Sequence, residues 1–278
     1  MTAYFGYKGL EVLSKIAIPL IVIISLIGIN AAINSAGGWD NVMSITPVGS
    51  TTISAGIVLV VGSFAAGASA QADVTRYSKD AKTAWIATII GFMVANSFII
   101  VAGYLSTLAT GMGDLPNEML HLGLGFPALM VLILAQWTTN DNNLYTSSLG
   151  LSNIFRIGRS RIVIIVGVIG SILGGLGVAD YFVSWLVVLG IGVPPMAGVI
   201  IADYYIIRKQ NYKFKDESIL PKWNANALLA WLIGCVVGFT VKFGVASLNS
   251  LIVTVVAYVI IMKIRPIYLE HMEIEEQQ

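Results

Sequence analysis

The stretch AQWTTNDNNLY, residues 135–145, sets six consecutive polar side chains, Thr138 to Asn143, inside an otherwise apolar segment. GFPALMVLILAQW (125–137) leads into it and LYTSSLGL (144–151) follows. Either the chain turns into water here, or it carries hydroxyls, amides and a carboxylic acid into an apolar medium. Length decides between the two. A loop at this point would leave an apolar run of about 13 residues before it, short of the roughly 20 needed to cross a bilayer. One helix from Gly125 to Leu151 would instead be about 40 Å long, with Thr138 near its midpoint. The run therefore reads as a polar stripe at mid-depth of a membrane span. Such a stripe is costly unless it faces partners or water.

Composition agrees. Of 278 residues, 56% are apolar and only 11% are charged, and the mean hydropathy is +0.82. A soluble domain carries about 25% charged residues, so the chain belongs in lipid. The formal net charge is +1 with no basic block, which gives nucleic-acid binding no support. The single cysteine, Cys235, forms no internal disulfide. His121 and His271 lie far apart, and neither a Cys/His cluster nor a nucleophile–base pair is apparent, so no enzyme chemistry and no bound cofactor are expected. The N-terminal MTAYFGYKGLEVLSK continues into a full membrane-length segment and does not read as a signal peptide.

Eight candidate spans follow, approximately 11–33, 52–72, 83–109, 125–151, 161–178, 181–206, 225–246 and 248–264. They are taken as one membrane domain over 1–278, with tight hairpins at GVAD (177–180) and around Ser247. Alternating the loops sorts the cations. Fifteen of the 16 Lys and Arg residues fall on the side of the termini, and only Lys242 falls on the other, where Asp40, Asp114, Glu118 and Asp180 also lie. Positive-inside bias then predicts a multi-pass protein of the inner membrane with both termini cytoplasmic.

Several side chains carry candidate chemistry. Thr138 and Thr139 offer hydroxyl oxygens suited to a desolvated Na⁺, and Asn140, Asn142 and Asn143 offer the donor–acceptor pairs that an amide-like heterocycle needs. Asp141 is first a structural acceptor, with a cation partner or a proton carrier as the functional readings. Asn96 and Ser97 read as interhelical glue. Asp73 with Arg76, and Asp203 with Arg208, sit at cytoplasmic helix ends as ion pairs that gate the inner mouth or as plain solvated termini. The small residues of VVGSFAAGASAQAD (60–73) fit either close helix packing or an unwound binding segment. Pro194 and Pro195 predict a structural kink.

GSFAAGASAQADVTRY (62–77), QWTTNDNNLYTSSLGLSNI (136–154) and VPPMAGVIIADYYIIRK (193–209) resemble, in order and along essentially the whole chain, the nucleobase–cation symporter family, and within it the bacterial cytosine permeases. The resemblance implies an all-α, leucine-transporter-like inverted-repeat fold, of which this chain would hold family helices five to twelve, a truncated version without the first four. It implies cation-coupled transport of a nucleobase such as cytosine or a purine by alternating access. On that template Ser63 and Phe64 line the pocket on a broken sixth helix, with Phe64 stacking on the base; Thr138 and Thr139 bind sodium and Asn140 is their neighbour. Ala135 and Ala66 stand where cytosine permeases tend to carry an amide and a serine, so the same fold could take another heterocycle (a hydantoin, allantoin, a nucleoside or a vitamin). The coupling ion would be Na⁺ or H⁺. An inactive truncated membrane protein is the remaining alternative.

Overall fold

The computed structural model describes Tyr4 and residues 7–46, 51–210 and 223–266. Lys213, Lys215, Lys222 and His271 lie outside the described residues. Among those described, regular structure is entirely helical. The helices are α1 (Tyr7–Ser35), α2 (Trp39–Ser44), α3 (Ile53–Thr75), α4 (Ala81–Ile89), α5 (Asn96–Thr110), α6 (Leu115–His121) and α7 (Gly125–Phe155). They continue with α8 (Arg159–Gly175), α9 (Phe182–Gly192), α10 (Pro194–Ile201), α11 (Ala225–Thr240) and α12 (Ala246–Ile264). Two π-helical turns, Ile90–Ala95 and Ala202–Ile207, join α4 to α5 and extend α10.

Each predicted apolar segment is helical over most of its length, but length and composition support five or six spans, not eight. By length and composition five stretches can cross a membrane on their own: Tyr7–Ser35, Ile53–Thr75, Ala81–Thr110, Val178–Ile207 and Ala246–Ile264. Helices α7 and α8 meet that test as a pair bent by 118° at residues 156–158, and α11, with 16 residues, is shorter. The last hairpin turns earlier than the sequence suggests. Its turn is residues 241–245, with Gly244 at φ +73°, and Ser247 is buried inside α12. The apolar character of Val241, Phe243 and Val245 hides the turn from a hydropathy reading.

The chain divides into two compact units, Met1–Gly49 with Ala70–Leu176, and Ser50–Ser69 with Gly177–Gln278. In the first, α1 packs on α5, α6 and α7, and α7 packs on α8. Ile29, Ile33, Val42 and Ala102 form one core cluster, and Met119, Ala128 and Val131 another. In the second unit α11 and α12 pack along their length and against α10. Glycines let the backbones approach there: a Cβ on Gly238 would lie 2.6 Å from Ile191 Cγ2 and 2.9 Å from Ser250 Cβ. Lipid supplies no hydrophobic force between helices, so close van der Waals contact through small residues holds them.

One expectation is corrected. Helix α3 runs unbroken from Ile53 to Thr75, so the small residues of GSFAAGASA do not unwind it. They permit close packing: a Cβ on Gly62 would collide with the Leu186 carbonyl oxygen and one on Gly190 with the Val58 carbonyl oxygen. The prolines, by contrast, do mark an interruption of the helix at Val193, inside the continuous Val178–Ile207 stretch. Helix α9 stops at Gly192, and Pro194 and Pro195 open α10 in the first-turn positions where a missing N–H is harmless. The Gly192 carbonyl left by this break accepts a hydrogen bond from Trp231 Nε1 at 2.8 Å.

Candidate functional site

Helix α7 carries the polar run without interruption, so the loop reading fails. Helical spacing then sorts its side chains. Asp141, Tyr145 and Ser148 are buried at three- and four-residue intervals, with Thr138 half-buried one turn earlier. Thr139, Asn140, Asn142 and Asn143 lie on the exposed face. The Thr138 hydroxyl donates to the Leu134 and Ala135 carbonyls at 2.9 and 3.1 Å. Its proton is thus held by the helix and its lone pairs are left as acceptors, the form a cation ligand requires. Asp141 is 2% exposed, inside the packed face of α7.

The second group of predicted residues is on α3. Ser63 and Phe64 are exposed, and the Ser63 hydroxyl donates back to the Val60 carbonyl at 2.8 Å. The Phe64 ring lies along its own helix over Gly67, where an added Cβ would sit 3.3 Å from ring carbons. Ser63 and Phe64 belong to the second unit, and Thr138, Thr139, Asn140 and Asp141 to the first.

At the end of α3, Arg76 does not pair with Asp73. Its Nη2 donates to the Tyr77 and Tyr145 hydroxyls at 2.9 and 3.1 Å. The two hydroxyls also share a hydrogen bond of 3.1 Å, Tyr7 stacks on Tyr77 at 4.0 Å, and the Arg159 guanidinium lies 5.3 Å from the Tyr145 ring centre. The hydrogen bonds with Tyr145 and then Arg76 hold the Tyr77 phenol below its ordinary pKa, and Arg76 adds positive charge. Arg76 itself is held further toward its charged form by the same two hydroxyls.

The second predicted pair does form. Arg208 Nε lies 3.0 Å from Asp203 Oδ2, and Tyr258 on α12 donates to Asp203 Oδ1 at 2.8 Å. Asn224 Nδ2 in turn donates to the Tyr258 hydroxyl at 3.2 Å while its own side-chain oxygen caps α11 at the Ala227 N–H. This network ties the π-helical end of α10 to α11 and α12. Tyr258 and Asn224 carried no signal in the sequence, since one sits singly in an apolar segment and the other in a loop, and Tyr145 closes the polar run without standing out from it. Loop alternation places Glu118 among the loop acids, yet it is 1% exposed on α6 and receives the Ser106 hydroxyl of α5. Among the described residues no group of three or more His, Cys, Asp or Glu side chains could hold a metal ion.

Residues 1–261 match the family described as permease for cytosine/purines, uracil, thiamine, allantoin. The chain belongs to this family. It is 34% identical over 261 residues to the cytosine permeases of Escherichia coli K12 and O157:H7, which covers 94% of this chain and 62% of each relative. The chain thus spans less than two thirds of the length of these curated relatives. Among solved structures it resembles a nucleobase-cation-symport-1 family transporter in a closed conformation with bromovinylhydantoin bound. That likeness has a TM-score of 0.65 at 20% identity and covers 96% of this chain and 66% of the other. The family membership and the shared fold establish a multi-pass membrane protein, all-helical among the described residues.

Proposed function

We propose that this chain serves the uptake of a nucleobase, cytosine or a purine, across the inner membrane by cation-coupled alternating access, with both termini cytoplasmic. The family match over residues 1–261 carries this reading. Phe64 and Ser63 on α3 meet the base, Phe64 through its π-face, where stacking is worth about 1–3 kcal/mol per base. Asn140 offers an amide for base recognition. Thr138 and Thr139 give hydroxyl oxygens to a coupled Na⁺. What supports the ion role is the direction of the Thr138 proton, which points into the helix and leaves the oxygen as an acceptor. Asp203 with Arg208, and Arg76 with its two tyrosines, brace the cytoplasmic helix ends.

A second reading keeps the fold and changes the cargo. Ala135 and Ala66 replace an amide and a hydroxyl of the cytosine-permease pattern, and a missing hydrogen bond in a buried polar site shifts selectivity strongly. A hydantoin, allantoin or another small heterocycle would then be the better substrate. Competition uptake in a strain lacking its own nucleobase permeases separates these. In a full-length context that supplies the first four family helices, this chain should give accumulation of labelled cytosine or adenine, suppressed by excess unlabelled base. Suppression by allantoin or hydantoin alone selects the second reading, and no saturable uptake of any of them defeats both.

A further inference from the structure

The first unit carries an open groove of about 710 Å³ that no part of the transport reading uses. Its floor is α8, through Val163, Ile164, Gly167, Val168 and Ile172, and Leu144 of α7 lines it too. Almost all of the lining is apolar. Gly167 leaves the groove open, because a Cβ there would come no nearer than 3.8 Å to Leu144 Cδ2. From Val163 to Ile172 the helix rises about 13.5 Å, close to the depth of one leaflet of a roughly 30 Å hydrocarbon core.

One end of the groove is cationic. Arg159 opens α8, and Arg159, Val163 and Gly167 follow at four-residue intervals on one helical face, so the guanidinium stands one turn beyond the groove. It is also tied to the groove wall: Arg159 Nη2 donates at 3.1 Å to the carbonyl oxygen of Tyr4, which lines that end. Arg156 and Arg161 are exposed beside it. An apolar channel one leaflet deep with arginines at its mouth complements one molecule, an amphiphile with acyl chains and an anionic head. We infer that the groove binds an anionic diacyl phospholipid, with its chains along Val163–Ile172 and its phosphate at Arg159.

The inference rests on the membrane reading and on a cytoplasmic position for Arg159, the leaflet where basic segments meet anionic lipid. It is independent of transport, so failed uptake leaves it standing. The test uses the purified full chain in neutral detergent. Dioleoyl phosphatidylglycerol should raise the thermal unfolding midpoint and remain bound in native mass spectrometry, and dioleoyl phosphatidylcholine should do neither. Arg159→Gln should weaken phosphatidylglycerol binding about fivefold, the worth of one interfacial cation, while Arg159→Lys keeps it. Gly167→Phe should abolish binding by filling the channel, and Gly167→Ala, whose methyl has room, controls for folding. Equal effects of the two lipids, unchanged binding in Arg159→Gln, or the same stabilisation by soluble glycerophosphoglycerol would each overturn the site. So would a Gly167→Phe chain that keeps the lipid and changes its oligomeric state, since the groove would then seat a helix.

Discussion

Thr138 and Thr139 are neighbours in sequence, but the helix treats them differently. Thr138 is half-buried with its proton held by the Leu134 and Ala135 carbonyls, and Thr139 is exposed. If both oxygens serve Na⁺, Thr138→Ala should raise the Na⁺ concentration for half-maximal uptake on the order of tenfold, the worth of one contact to a charged group. Thr138→Ser should stay near the parent. An unchanged Na⁺ dependence in the alanine variant removes Thr138 from the ion site. Glu118 makes a separate case. Its carboxylate is buried and receives the Ser106 hydroxyl, so Glu118→Ala leaves that hydroxyl without its partner and should cost about 1–3 kcal/mol. Glu118→Gln keeps an acceptor in place and should cost less. Thermal melts of the two purified variants give the comparison, and equal losses would mean the bond carries no weight.

At the scale of elements, apolar length gave the helices away, because a membrane span must satisfy its own backbone. The way the helices are used was hidden. GSFAAGASA fits an unwound segment and a tight crossing equally well, since both need small side chains. The space around each glycine separates them. A Cβ on Gly62 meets backbone, whereas one on Gly56 meets nothing within 4 Å. Gly62→Val should therefore destabilise the protein by about 1–3 kcal/mol through overpacking, and Gly56→Ala should be neutral or gain up to about 1 kcal/mol of helix propensity. Similar melting points for both would argue that α3 does not depend on its approach to Leu186. The π-helical turns at Ile90–Ala95 and Ala202–Ile207 were illegible because a shifted hydrogen-bond register has no compositional mark.

The start of α4 depends on pH through Asp80. Its carboxylate accepts the Thr83 N–H at 2.7 Å at the head of α4, and that bond holds its pKa below the ordinary value. A carboxylate depressed in the folded state stabilises above its unfolded pKa and loses that contribution as pH falls through the folded one. The gap in melting temperature between the parent and Asp80→Ala should be constant above about pH 5 and close as the pH drops below about 4. A gap that persists in acid would assign the effect to packing.

For the whole molecule, the asymmetry of charge is the most economical statement in the sequence. Fifteen of 16 cations fall on one side when eight spans alternate, and Lys242 alone falls on the other. The α11–α12 hairpin lets this be tested within one unit. Asn226 near the start of α11 donates to the Arg265 carbonyl just past the end of α12 at 2.8 Å, so those two ends meet. Lys242 sits in the turn at the opposite end, about 24 Å away along α11. In a Cys235→Ser background, Lys242→Cys should react with an impermeant maleimide added to intact cells, while Arg265→Cys and Lys79→Cys should react only after the membrane is opened. Which face each element shows cannot be read from one hairpin, and so Lys79, in the turn after α3, provides an independent check from the other unit. Labelling of Lys79→Cys and Lys242→Cys from the same side would break the alternation and make the number of spans between them even. Reversed labelling of all three would keep the count and turn the charge rule over.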